Sequence, residues 1–339
     1  MKVVFFGTPQ FAVPSLERLM DDPSFDVAAV VTQPDRRRGR GGKINPSPVK
    51  AAALPLGCPI WQPSRIKKDP DTLQALANLN ADAFVVVAYG QILSQAILDM
   101  PRLGCVNAHG SLLPEYRGAA PIQWSLYHGE AKTGITTMKM DIGMDTGPML
   151  EKAVVPIGLL DNAWTLAASL ATLSADLLVN TLRQLDGQRM RPVPQNDSQA
   201  TYAPLIQKAD YSLDWQRPAL ALHNQIRGFY PNCTTTFRQQ PLKISATLPL
   251  GDPSSTLRPA AMPADFASLV EQYTQLANLA AAPGTVAAVF KNYGPAIAPG
   301  EGHLLLREVK PAGKQAQSGW DFANGSRLTE GEVLGKDEG

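Results

Sequence analysis

The chain has 339 residues, of which 44% are hydrophobic and 18% charged, with a formal net charge of +1. That length suggests roughly two domains, each able to bury a core. The near-zero charge excludes a polyanion binder working through bulk charge, so any such affinity must come from local clusters. The three cysteines, Cys58, Cys105 and Cys233, lie far apart, with neither a CxxC spacing nor a zinc-finger histidine pattern. They read as reduced thiols of a cytoplasmic protein, not as a disulfide framework or a zinc site.

KVVFFG (2–7) is a short apolar run, cut off by GTPQF too early to be the core of a signal peptide. It reads as a first buried strand, followed by a helix over 11–20. DVAAVVT (26–32), FVVVAYG (84–90) and LGCVNAH (103–109) read as further buried strands, and GITTMKM (134–140) alternates like a half-buried one. Helical patterns fall between them at SPVKAAAL, TLQALANL and PIQWSLYHG. Continuous apolar strands alternating with helices predict an α/β domain, a Rossmann-like and mostly parallel sheet covered on both faces. A long helical pattern over 163–185 is expected to pack across it. No apolar stretch approaches the length of a membrane span, so no membrane partner is expected.

GQRMRPVPQNDSQATYAP (187–204) is polar, Pro-rich and aperiodic, which marks a linker. A helix over about 217–228 follows, then short strands at CTTTF, LKISATL, GTVAAVF and HLLLREV. Short strands at this spacing predict a small OB-like β-barrel. Residues 250–282 interrupt it as an insertion that ends in the amphipathic ASLVEQYTQLANLA, and the chain after Gly319 looks frayed. The expected organisation is a first domain over 1–189, a linker over 190–206, a barrel over 207–318 and a tail over 319–339.

Several motifs fail on inspection. GTPQFA (7–12) sits where a dinucleotide-binding fingerprint would sit, but Pro9 occupies the position where glycine lets the backbone approach a pyrophosphate. GRGGKI (39–44) lacks the Ser or Thr and the first Gly of a P-loop. DIGMDTG (141–147) lacks the glycine and the acidic ligands of a calcium loop, which leaves Asp145 in a Gly-flanked loop just past a strand end.

NAHGSLLP (107–114) is the informative stretch. Side chains alternate along a strand, so Asn107 and His109 share one face at the carboxyl end of LGCVNAH, where open α/β sheets bind ligands. A lone histidine is more often structural than catalytic. An amide donor beside an imidazole, however, suits a developing oxyanion coupled to proton transfer. Asp145 could orient that imidazole and favour its protonated form. A nucleophilic triad is disfavoured, because Ser111 lies outside any GxSxG elbow and Cys105 sits inside the strand.

NAHGSLLPEYRGAAP together with MDIGMDTG resembles the signature of the folate-dependent formyltransferases. The resemblance runs through VFFGTPQFA, TQPDRRRGRGGKINPSPVK, VVVAYGQILS and PAGKQAQSG, nearly the whole chain. It implies catalytic roles for Asn107, His109 and Asp145. It implies a folate pocket lined by Ser111, Leu112, Leu113 and Pro114, with backbone partners for the pterin ring at Ala88, Gly90 and Ile92. The implied co-substrate is 10-formyltetrahydrofolate, with no metal. The 250–282 insertion is a departure from the family pattern.

The catalytic trio alone does not choose the acceptor, since glycinamide ribonucleotide formyltransferases, nucleotide-sugar formyltransferases and formyltetrahydrofolate hydrolases would share it. PDRRRGRGGKINPSPVK (34–50) favours a large polyanion: Arg36, Arg37, Arg38, Arg40, Lys43 and Lys50 stand against Asp35 alone. A flexible basic loop leaving the carboxyl end of the second strand suits phosphates at an active-site mouth, although most charge runs are simply solvated. Together with the family resemblance, which implies it, this makes methionyl-initiator tRNA the expected acceptor, with Arg227, Phe229 and Tyr230 as further contacts unless those aromatics are barrel core. The protein is expected to act as a monomer with no obligate protein partner.

Overall fold

The computed structural model describes residues 1–37, 44–250, 266, 268, 269, 273 and 281–335. Arg38, Arg40 and Lys43, with most of the 250–282 segment, lie outside them. The chain divides into two units. One comprises Met1–Pro121, Lys132–Pro156 and Ala167–Pro204, the other Ile122–Ala131, Ile157–Leu166 and Leu205–Gly339.

In chain order the first elements are β1 (Lys2–Gly7), α1 (Val13–Met20), β2 (Asp26–Val31), the two-residue strands β3 (Arg36–Arg37) and β4 (Ile44–Asn45), α2 (Pro48–Ala53) and β5 (Ile60–Trp61). Then come α3 (Pro70–Asn78), β6 (Ala83–Val87), α4 (Gln95–Leu98), β7 (Cys105–His109), β8 (Arg117–Gly118) and α5 (Pro121–Tyr127). β9 (Lys132–Lys139), β10 (Met149–Pro156), α6 (Ala163–Asp186) and β11 (Tyr202–Ala203) complete this part.

The main sheet has seven strands in the order β10-β9-β7-β6-β1-β2-β5. β5, β2, β1, β6 and β7 run parallel, whereas β9 and β10 run antiparallel. β1 is buried along nearly its whole length, as a parallel strand between two helical layers must be. Helices start where the sequence supplies stops for their free N–H groups: Ser47 accepts from Lys50 N at 3.0 Å and Asp69 from Thr72 N at 3.0 Å, each followed by a proline.

Register aligns Val4, Phe84 and Cys105, then Phe6, Val86 and Asn107, on one face of the sheet. All but Asn107 belong to one buried cluster with Ile66, Leu76, Tyr89 and Ile97. Asn107 and His109 thus continue a packed apolar face to its carboxyl rim. From β1 the chain moves outward to β2 and β5 and then returns to β6 on the other side. That reversal is the topological switch point where α/β sheets bind ligands.

α6 corrects one expectation. By length and a mean hydropathy of 1.3 it could cross a membrane, yet 56% of its apolar stretch is buried within the protein, as in a core helix. The linker expectation also changes. β11 pairs with β8, and Val193 bridges Met149. The 190–204 stretch is therefore bound to the first unit and not a free tether.

The C-terminal elements are α7 (Ala219–Gly228), β12 (Thr234–Phe237), β13 (Gln240–Leu250), β14 (Thr285–Phe290), β15 (Gly294–Ala298), β16 (His303–Pro311), β17 (Gln317–Ser318) and a final helix α8 (Gly319–Ser326). The strands form an antiparallel sheet in the order β12-β13-β16-β15-β14, with β17 on β16. Leu222 and Ile226 of α7 and Phe322 and Ala323 of α8 share its core with Ile244, Leu304 and Leu306. The expected frayed tail is instead folded. Ser318 caps α8 by accepting from Asp321 N at 3.0 Å, and Leu334 is buried. Val333 bridges Thr285 at the start of β14, and Leu334 bridges Phe237 at the end of β12, so the last segment joins both edge strands. Within the 250–282 stretch, Phe266, Leu269 and Tyr273 are buried in a cluster with Leu248, Leu250 and Leu305.

Candidate active site

Asn107 and His109 end β7 at 9% and 6% exposure. The Asn107 carboxamide makes no hydrogen bond among the described residues, so its donor and acceptor are both available to a ligand. His109 is held: its Nε2 lies 2.9 Å from Tyr116 O. A carbonyl only accepts, so Nε2 carries the hydrogen and Nδ1 is left facing the Asp145 carboxylate. The Nδ1–Oδ2 distance is 3.6 Å, within ion-pair range but longer than a hydrogen bond.

Asp145 reaches this position by an unexpected route. β9 runs antiparallel to β7, with Lys139 beside Val106 and Met140 N donating to Cys105 O at 2.8 Å. The loop after β9 therefore leaves from the amino end of β7 and must double back to bring Asp145 to His109. Its base is closed tightly, since a Cβ on Gly147 would lie 1.9 Å from Lys139 O. Asp145 itself has a left-handed backbone, φ 54°, and its Oδ2 accepts from Gly118 N at 2.8 Å. Gly118 is held at φ 124°, where a Cβ would meet Ala203 O at 2.7 Å.

The Ser111–Pro114 corner is a hydrogen-bonded turn. Ser111 and Leu113 are fully buried. Ser111 Oγ donates to Glu115 O at 2.6 Å, and Thr136, the register partner of His109, donates from Oγ1 to Ser111 O at 2.7 Å while accepting from Leu113 N at 3.0 Å. Lys152 Nζ donates to Leu113 O, and burial holds its ammonium below the usual lysine range. Ser111 and Leu113 therefore shape the turn, and the half-buried Leu112 and Pro114 are its accessible members.

After β6 the backbone turns left-handed at Ala88 (φ 47°) and Gly90 (φ 82°). Thr8 Oγ1 donates to Tyr89 O at 2.9 Å, and Gln33 Nε2 donates to Gly90 O at 3.0 Å. Ile92 is 72% exposed, and Ile142 and Met144 on the Asp145 loop are 67% exposed each. The last two are apolar site candidates that the sequence reading missed. A cleft of about 270 Å³ opens at the switch point, lined by Thr8, Gln33, Arg36, Asn45, Ser47 and Gly90 among others.

Of the basic residues, Lys50 is spent on Asp35 at 2.6 Å. The Lys50 ammonium and then the Gln62 amide hold the Asp35 carboxyl below its usual range. Arg36 stays exposed at the cleft, with Nη2 3.3 Å from Gln33 Oε1. Arg227 is not a surface contact. It is buried, donates to Asn224 Oδ1 at 2.9 Å and Gly158 O at 3.0 Å, and burial pushes its guanidinium down to about 10. Phe229 is core as well, whereas Tyr230 packs edge-on against the exposed Trp164, 5.0 Å between ring centroids. Among the described residues, no group of at least three His, Cys, Asp or Glu is placed to hold a metal ion.

Residues 1–182 match the formyl transferase family model, and residues 205–327 match the model of the formyl transferase C-terminal domain. The chain is 61% identical over 335 residues to a methionyl-tRNA formyltransferase of Trichormus variabilis, covering 99% of each. It is 55% identical over 329 residues to a methionyl-tRNA formyltransferase of Synechocystis, covering 97% of this chain and 98% of that one. Among solved structures, an N-formyltransferase from Helicobacter canadensis in complex with folinic acid and dTDP-3-aminofucose shares the fold. Its TM-score is 0.62 at 17% identity, over 90% of this chain and 98% of that one.

Proposed function

The chain belongs to the formyl transferase family, and on that premise we propose that it transfers the formyl group of 10-formyltetrahydrofolate to the α-amine of methionyl-initiator tRNA. The observation that carries this reading is the end-to-end identity with methionyl-tRNA formyltransferases. Its chemical support is the Asn107, His109 and Asp145 arrangement.

In this mechanism the amine lone pair forms a bond to the formyl carbon while the carbonyl π electrons move onto oxygen. The Asn107 carboxamide, without a partner among the described residues, is the donor that can meet that oxyanion. His109 cannot offer Nε2, which Tyr116 O already holds, so it acts through Nδ1 on the proton that leaves the amine, with Asp145 Oδ2 beside that same nitrogen. Collapse of the intermediate restores the carbonyl and breaks the bond to N10, and the relayed proton goes to that nitrogen. The left-handed turn at Ala88 and Gly90 and the accessible Leu112, Pro114 and Ile92 fit a flat pterin and its attached ring.

The cleft at the switch point, with Arg36 at its edge, suits the terminal nucleotide of the acceptor and its phosphate. The C-terminal sheet, joined at both edges by its last segment, fits a small OB-like barrel that would hold the tRNA body. There Trp164 and Tyr230 offer stacking surface. On this reading the enzyme works as a monomer in the cytoplasm, where aminoacyl-tRNA is used.

The test offers labelled 10-formyltetrahydrofolate with methionyl-initiator tRNA, methionyl-elongator tRNA, glycinamide ribonucleotide, an amino-sugar nucleotide, or water alone. Label should pass to methionyl-initiator tRNA in strong preference. Preferential transfer to a small acceptor, or to water, would assign a different activity to the same site.

A further inference from the structure

Gln195 lies in the aperiodic stretch that reads as a linker, yet its side chain is spent entirely on the Asp145 loop and its support. Nε2 donates to Asp145 O at 2.7 Å and to Gly147 O at 2.8 Å. Oε1 accepts from Arg117 Nε at 3.0 Å and Nη2 at 2.8 Å. Arg117 is 2% exposed, and its Nη2 also donates to Asp197 Oδ1 at 2.7 Å. The next residue, Gly118, supplies the N–H that holds the Asp145 carboxylate, and β8 as a whole is held by β11.

These contacts act together on one residue. Asp145 sits in a left-handed conformation, which aspartate tolerates better than most residues, and the surroundings add the contacts that fix it there. One carboxamide fixes the peptide carbonyls at Asp145 and at Gly147, and Gly118 fixes the carboxylate. An amide with two donor hydrogens and an acceptor oxygen is suited to this, because it bridges two carbonyls on one side and a buried guanidinium on the other.

We infer that Gln195 and Arg117 are positioning residues for Asp145, and that the 190–204 stretch is thereby part of the catalytic apparatus. This rests on the reading of Asp145 as catalytic given above. Without the amide the loop is free to relax, and Asp145 loses its register with His109. Small misplacements of a catalytic group are costly even when binding survives.

The test compares Gln195→Met, which keeps length without the hydrogen bonds, and Gln195→Glu, which keeps the acceptor towards Arg117 but sets a carboxylate against two carbonyls. Each is made alone and combined with Asp145→Asn. Gln195 is only half-buried in an otherwise exposed stretch, so the variants should fold, which near-UV circular dichroism verifies. Gln195→Met should lower kcat by a factor on the order of 10–100. Both KM values should stay unchanged, and the pH–rate profile should lose the features that Asp145→Asn also loses. The double variant should be no slower than Asp145→Asn alone, because a residue acting only through Asp145 has nothing further to remove. Wild-type kcat in both Gln195 variants beside a crippled Asp145→Asn would overturn the inference, as would losses that multiply in the double variant. If Asp145→Asn itself kept full turnover, the reading of Asp145 would fail first and this inference with it.

Discussion

Replacing Asp145 with asparagine removes a charge and little else, since the amide oxygen can still accept from Gly118 N. The carboxylate lies 3.6 Å from His109 Nδ1. At that distance it stands within ion-pair range of an imidazolium formed on His109 during proton transfer. Asp145 is 19% exposed at its side chain. Loss of a positioned partner in acid–base proton transfer costs on the order of a hundredfold in the rate of that step. The assay is single-turnover transfer of labelled formyl to methionyl-tRNA, with folate binding and thermal unfolding measured in parallel. Asp145→Asn should bind folate normally, unfold at nearly the wild-type temperature and transfer slowly. A folded variant that transfers at the wild-type rate would refute the electrostatic coupling of Asp145 to His109.

Arg36→Ala should flatten the log–log salt dependence of tRNA binding by up to about one unit, with folate affinity unchanged, as filter-binding titrations would record. His223 is fully buried between Thr247 Oγ1 and Leu159 O, and burial first, then the charge of Arg227, drives it down to about 3. The unfolded chain, with an ordinary histidine near 6.5, takes up a proton that the fold refuses. Stability should therefore fall as pH drops from about 6.5 towards 3, by up to about 1.4 kcal/mol per pH unit from this group. His223→Gln should remove that part of the slope in urea unfolding at pH 7 and pH 5. Gly147→Ala forces a methyl against Lys139 O and should cost about 1–3 kcal/mol with a loss of turnover, read as melting temperature and kcat.

The parallel strands were legible because both their faces are buried. KVVFFG and FVVVAYG read as continuous apolar runs, and the structure places β1 on the first and starts β6 one residue before the second. Asn107 and His109 stood out because two polar side chains on one strand face have no business at the end of such a run. β10 was not legible, since the solvated face of this edge strand carries Lys152, Val154 and Pro156, so its polar and apolar residues do not alternate. Gly294 and Pro295 similarly hid β15. The approach of Asp145 depends on the antiparallel direction of β9, which a strand's own composition does not encode. Gln195 works through side-chain to main-chain hydrogen bonds, which leave no periodic trace. Arg227 was misread because charge usually means exposure, whereas its guanidinium finds partners inside the C-terminal unit. The helix α8 buries little more than Phe322 and Ala323, too sparse a pattern to distinguish from a tail.

In the proposed mechanism the face carrying Asn107 and His109 performs the formyl transfer. Asn107→Ala tests it most directly, because the carboxamide has no structural bond to lose among the described residues. The measurement is the single-turnover rate with 10-formyltetrahydrofolate and methionyl-initiator tRNA both bound before mixing is complete. Loss of an oxyanion donor should slow that step on the order of 10²–10³-fold with substrate affinities retained. An undiminished rate in a folded variant would contradict the account.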